Sequence, residues 1–92
     1  MDQEYLNLIN TKGELGNLLI SKGIPDTLAD RTDLYDKAMA NANMIELLQT
    51  TQLAFSKYAE GKISKEELQN NLNQINGLLA QIDSSIEPIT ID

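Results

Sequence analysis

Tyr58-Ala59-Glu60-Gly61-Lys62-Ile63-Ser64-Lys65-Glu66-Glu67-Leu68 spells a helix that stops, a tight corner, and a helix that starts. Gly61 can take the left-handed conformation that closes a helix C-terminus without a Cβ penalty. Three residues on, the Ser64 hydroxyl can accept the Glu67 N–H while the Glu67 carboxylate reaches back to the Ser64 N–H, a capping box at the right spacing. Two helices joined by a short corner, a helical hairpin, follow from these residues alone.

Downstream of the corner a helix is expected over about 65–83. Leu68, Leu72, Ile75, Leu79 and Ile82 recur at spacings of four and three, a narrow seam of coiled-coil type that faces one partner. Asn70, Asn73, Gln74, Asn76 and Gln81 fall elsewhere on its surface. Pro88 ends any helix before it. Ile89 and Ile91 alternate with polar neighbours, so 84–92 reads as a tail with a short extended segment.

Upstream, Thr32 is the candidate N-cap of a long central helix over about 33–60, with Asp33 and Asp36 in its first turn against the helix dipole. Some 28 residues at 1.5 Å each would make it about 42 Å long. Its apolar face shifts along its length. Leu34, Tyr35, Ala38, Met39 and Ala42 occupy one arc; Met44, Leu48, Phe55 and Ala59 occupy another, displaced by roughly 100°, with Ile45 between. Two arcs imply two neighbours: the N-terminal helix on the first half and the C-terminal helix on the second.

The N-terminal helix is expected over about 3–22, with Asp2 as N-cap. Tyr5, Leu8, Ile9, Leu15, Leu19 and Ile20 share a face, with Gly16 in its middle, where a missing side chain permits close approach. Lys12 points near that face and can snorkel along it. Gly13 and Gly16 each cost roughly 1 kcal/mol relative to Ala in a helix interior, which makes residues 12 and 13 a weak point. Gly23 closes the helix and Ile24-Pro25 enforces the stop; residues 26–30 suit one short turn. The expected architecture is a single all-α domain over 1–92, a hairpin with an N-terminal helix packed on it. It could be a compact three-helix bundle or an extended coiled-coil-like hairpin.

Composition agrees with that class and narrows the chemistry. The 92 residues contain neither Val nor Trp, and the 41% hydrophobic share is mostly Leu and Ile, so the core is aliphatic. Without Cys or His there is no disulfide framework, the usual zinc, haem and iron–sulfur ligands are missing, and so is the commonest general base near neutral pH. A net charge of −7 repels phosphate backbones and anionic membranes, so neither direct nucleic-acid binding nor membrane binding is expected. With no long apolar run and no basic-then-apolar N-terminus, the expectation is a soluble protein, cytoplasmic or held within a virion.

Four motifs invite a functional reading. Residues 56–67 can be laid over an EF-hand calcium loop, with Gly61 at its sixth place, Ile63 at its eighth and Glu67 at its twelfth; but Ser56 and Tyr58 stand where two carboxylates belong, and calcium wants six to eight oxygens. The segment Glu60–Leu79, through its corner Gly61-Lys62-Ile63-Ser64-Lys65-Glu66-Glu67, also resembles the short helical hairpin called SHOCT, which shares a Gly-x-Ile-Ser/Thr-x-Glu-Glu turn. That resemblance spans about a fifth of the chain and implies a hairpin and no activity. Carboxylate pairs able to act as acid and base, Asp33 with Asp36 or Glu66 with Glu67, lie at helix N-termini, where capping accounts for them. Asp26, Asp30, Asp33 and Asp36 form the densest acidic run, but Arg31 and Lys37 interrupt the phosphate-like spacing that mimicry of DNA requires.

The apolar residues a three-helix core does not need carry more. Leu53 falls on the polar side of the central helix, Leu47, Ala54 and Tyr58 widen its apolar arc, Leu18 stands off the face of the first helix, and Ile89 and Ile91 make the tail apolar. With the long central helix, they point to a surface that meets another protein chain. The expected function is therefore a non-enzymatic, cofactor-free interaction or assembly protein, oligomeric or part of a larger complex, with Leu47, Leu53, Ala54, Tyr58, Ile89 and Ile91 as contact residues. Its richness in Asn, Ile and Lys resembles accessory proteins of low-GC bacteria and their phages. The alternative is a small acidic inhibitor or regulator of an enzyme or nucleic-acid-binding protein.

Overall fold

In the computed structural model, which describes residues 2–91, four helices run in chain order: α1 (Gln3–Ser21), α2 (Thr32–Ala38), α3 (Ala42–Ala59) and α4 (Lys65–Ile82). Met1 and Asp92, the ends of the expected domain and tail, lie outside the described residues. No strand occurs among those described. The protein is all-α, with the α3–α4 hairpin and the N-terminal helix where the sequence places them.

Both corners that glycine was expected to make are made by it. Gly23 and Gly61 have φ of 71° and 76°. At each, the N–H beyond the glycine reaches back across the helix end: Ile24 to the Leu19 carbonyl at 2.9 Å and Lys62 to the Lys57 carbonyl at 2.8 Å. These are Schellman closures, which satisfy carbonyls a helix end would otherwise orphan. Ser64 and Glu67 form the full capping box, with Glu67 N–H donating to Ser64 Oγ at 3.1 Å and Ser64 N–H to Glu67 Oε1 at 3.4 Å. Asp2 caps α1 through the Glu4 N–H, and α1 runs unbroken through Gly13 and Gly16.

The central span differs from expectation: it is two helices, with a break at 39–41. Asn41 is extended (φ −140°, ψ 105°), and its Oδ1 accepts the N–H groups of Asn43 and Met44, starting a new helix. The displaced apolar arcs are the signature of this break, because an interruption resets the helical phase. Thr32 is the first residue of α2 and not its cap; Arg31 precedes it with no side-chain capping bond.

α3, alone at the centre, packs against α1, α2 and α4. The N-terminal helix thus lies on α3 and not on the first half of a long helix. The longest dimension is 32 Å, too short for a 42 Å helix, and the Cα radius of gyration, 12.5 Å, matches the ~12 Å of a compact chain this size. The bundle, not the extended hairpin, is the form adopted. One core joins Leu8, Leu15 and Leu19 of α1, Leu34, Tyr35 and Ala38 of α2, Met44, Leu48 and Phe55 of α3, and Leu68, Leu72, Ile75 and Leu79 of α4. Gly16 supplies the close approach its position suggested: a Cβ there would lie 2.9 Å from the Asp26 carboxylate. Lys12 extends over the Tyr35 ring, 5.0 Å from its centroid, a cation–π contact.

The tail lies against the body as a strap. Thr27 and Arg31 hold it from the α1–α2 connection, Asn76 holds it from α4, and Ile89 and Ile91 are buried in the common core.

Candidate interaction surface

On α3 the core-facing residues Met44, Leu48 and Phe55 leave the opposite ridge to Asn43, Glu46, Thr50, Leu53 and Lys57. On α4 the seam leaves Asn71, Gln74, Leu78 and Gln81 along one flank. Between that ridge and that flank runs an open groove. Its larger part, about 540 Å³, is lined by Asn43, Glu46, Leu47, Thr50, Gln74, Ile75, Leu78, Gln81 and Ile82. A second part of about 240 Å³ continues it through Leu53, Ala54, Lys57 and Asn71, sharing Thr50, Gln74 and Ile75 with the first. Leu53 and Leu78 stand 55% and 46% exposed on its walls, while Leu47 and Ile82 are half-buried in it. The helix seam explains the opening: a four-and-three stripe covers one partner face, and the flank beside it stays uncovered.

The expected contact residues divide. Leu47, Leu53 and Ala54 come together in this groove, Ala54 nearly covered at its floor. Tyr58 is half-buried against the core near the hairpin corner. Ile89 and Ile91, at 1% and 8% exposure, are core residues of this chain and do not form part of an open surface. They alternate with exposed neighbours because one side of the tail is buried in cis. Leu78, which the sequence reading left out, is the additional groove residue. Its position three residues after Ile75 and one turn after Gln74 was the available signal.

A second apolar region lies on α1. Leu6, Ile9 and Ile20 are exposed, Ile20 by 72%, although Ile9 and Ile20 were expected inside. The seam of Leu8, Leu15 and Leu19 takes the contact with α3, and the Asp26 carboxylate occupies the flank beside Gly16. Leu18, expected off the main face, is half-buried beside Gln52 and Ser56 in a smaller α1–α3 cleft of about 160 Å³.

The polar candidates are engaged elsewhere. Glu60 pairs with Lys62 at 2.8 Å and accepts the Ser56 hydroxyl at 3.3 Å; the Lys62 ammonium holds its carboxyl below the usual range. Glu67 belongs to the capping box. In the acidic run, Asp26 Oδ1 accepts the Ala29 N–H, and Asp33 is gripped by both Arg31 Nε and Nη2 at 3.1 Å, which lowers its pKa. Among the described residues no group of three or more His, Cys, Asp or Glu is placed to hold a metal ion, and no helix is long and apolar enough to cross a membrane. Compared with protein-family models, with curated proteins and with solved structures, the chain matches nothing.

Proposed function

We propose that this chain is a non-enzymatic interaction protein, a small subunit of an assembly or self-associating, that docks an apolar helix face of another protein into the α3–α4 groove. The observation that supports it is the continuous groove with Leu53 and Leu78 raised on facing walls and Leu47, Ala54, Ile75 and Ile82 beneath. An amphipathic helix laid in such a groove buries apolar side chains at i, i+3, i+4 and i+7, the common mode of helix recognition. Each large side chain buried there contributes about 1.5–3 kcal/mol.

Light scattering on the purified protein at high micromolar concentration tests the self-associating form. Mass above that of one chain is expected, reduced to one chain by Leu53→Glu or Leu78→Glu, with circular dichroism and melting temperature little changed because both residues are already exposed. Affinity capture from source cells with the wild type and Leu53→Glu tests the hetero-assembly form; the specific partner is expected to be lost with the variant. A wild type that is a single chain and captures nothing that Leu53→Glu does not also capture would refute the proposal.

A further inference from the structure

The slot that holds the tail reads a peptide main chain. Arg31 Nη2 and Nη1 donate to the carbonyls of Glu87 and Pro88 at 2.9 and 3.1 Å. Asn76 Nδ2 donates to the Ile89 carbonyl at 2.9 Å while Asn76 Oδ1 accepts the Ile89 N–H at 2.8 Å. Thr27 Oγ1 donates to the Thr90 carbonyl at 2.7 Å. Four consecutive carbonyls and one N–H are thus bound by side chains from α4 and from the α1–α2 connection. The side chains sunk in the slot are Ile89 and Ile91, whereas Glu87, Pro88 and Thr90 are exposed. Recognition of this kind specifies an extended backbone with branched aliphatic side chains two residues apart, as when an extended peptide seats alternate side chains in pockets. Nothing in it depends on the covalent link between the segment and α4.

We propose that Thr27, Arg31 and Asn76, with the two apolar sockets between them, form a binding site for extended Ile-x-Ile peptides. The chain's own tail fills it in cis, and the same segment of a second copy fits it in trans. Contacts made in trans repeat those made in cis, as in any exchange of identical elements. What must change is the link after α4, where Asp83 Oδ1 accepts the Ser85 N–H at 3.0 Å and hydroxyl at 2.7 Å, and Oδ2 pairs with exposed Lys37 at 3.1 Å. At ~100° per residue Asn76 lies on the flank of α4 opposite Gln74 and Leu78, so this site goes beyond the groove and does not rest on it.

The test uses the full chain and a fluorescently labelled peptide of residues 85–91. A tethered tail competes at roughly millimolar effective concentration, so the wild type binds the peptide weakly. Ile89→Asp, whose own tail cannot seat, is expected to bind it at least roughly tenfold more tightly once that competition is removed. Adding Asn76→Ala returns binding to the wild-type level or below. Equal binding by all three chains, or none by a folded Ile89→Asp, overturns the proposal. If Ile89→Asp does not fold, hydrogen exchange on the wild type decides. An Ile89 amide that exchanges at least roughly tenfold faster than the Leu72 amide of α4 means the tail lifts off while the body stays folded. Equal protection of the two means the slot empties only on unfolding, and the site does not exist as proposed.

Discussion

Gln52 stands between Leu48 and Phe55 on the inner face of α3, 3% exposed, where a polar side chain is tolerated only if its hydrogen bonds are met. Its Nε2 donates to the Leu8 carbonyl of α1 at 3.1 Å and to the Tyr35 hydroxyl of α2 at 2.9 Å, so one amide ties three helices together. Burial pushes the Tyr35 hydroxyl up to about 12, with the Gln52 hydrogen bond opposing and the Asp26 carboxylate adding to the rise. An unfolded tyrosine titrates near 10. Below that pH both states hold the proton and the folded state keeps its full advantage. Between about 10 and 12 the unfolded chain releases the proton first, so stability falls by up to about 1.4 kcal/mol per pH unit. Urea melts across this window are expected to show that loss in the wild type and a shallower one in Tyr35→Phe. Identical slopes would mean the buried phenol is not what titrates. The sequence did not flag Gln52 as buried, because a single polar residue inside an apolar stripe looks like the edge of the stripe. The Leu8 carbonyl and the Tyr35 hydroxyl, 44 and 17 positions away, make its burial tolerable.

At the level of elements, what was legible was what is local. Gly61 with Ser64 and Glu67, and Gly23 with Ile24-Pro25, carry their geometry in adjacent residues, and both corners form as their chemistry dictates. The 39–41 break was half-legible. The two displaced arcs recorded it, but continuity of apolar residues and the start signal of Thr32 with its two aspartates favoured one long helix, and Asn41, which caps the second, was not read as a cap. Once the break is in place the over-long helix disappears as a motive for assembly, and Leu53 with Leu78 carries that motive instead. The tail was legible as extended but not as covered, because its partners Thr27, Arg31 and Asn76 are 63, 57 and 13 positions away. The capping assignment has a direct test. Asn41→Ala removes the acceptor of two N–H groups and is expected to cost about 1 kcal/mol in chemical denaturation. Thr32→Ala, which removes no capping bond, stays within about 0.5 kcal/mol. The reverse order would return the cap to Thr32.

For the whole molecule the governing quantity is the net charge of −7. Two copies brought together repel, and so do a copy and any other acidic protein, with a range of about 10 Å at 0.1 M salt. The groove itself is nearly neutral: Glu46 and Lys57 line it with amides, hydroxyls and aliphatic side chains. Docking there gains from apolar burial, which salt does not screen, and loses from overall repulsion, which salt does. Raising sodium chloride from about 0.05 to about 0.5 M shortens the screening length several-fold. It is therefore expected to leave self-association unchanged or make it tighter, measured by sedimentation equilibrium at constant pH. An acidic regulator gripping a basic partner through Asp30, Asp36 and their neighbours would show the opposite, losing affinity steeply over the same range. Asp26 and Asp33 of that run are already bound by Ala29 and Arg31, which leaves such a surface with fewer carboxylates to offer than the sequence suggests. A complex that dissolves on adding salt, and is indifferent to Leu53→Glu, would move the functional surface from the groove to the acidic run.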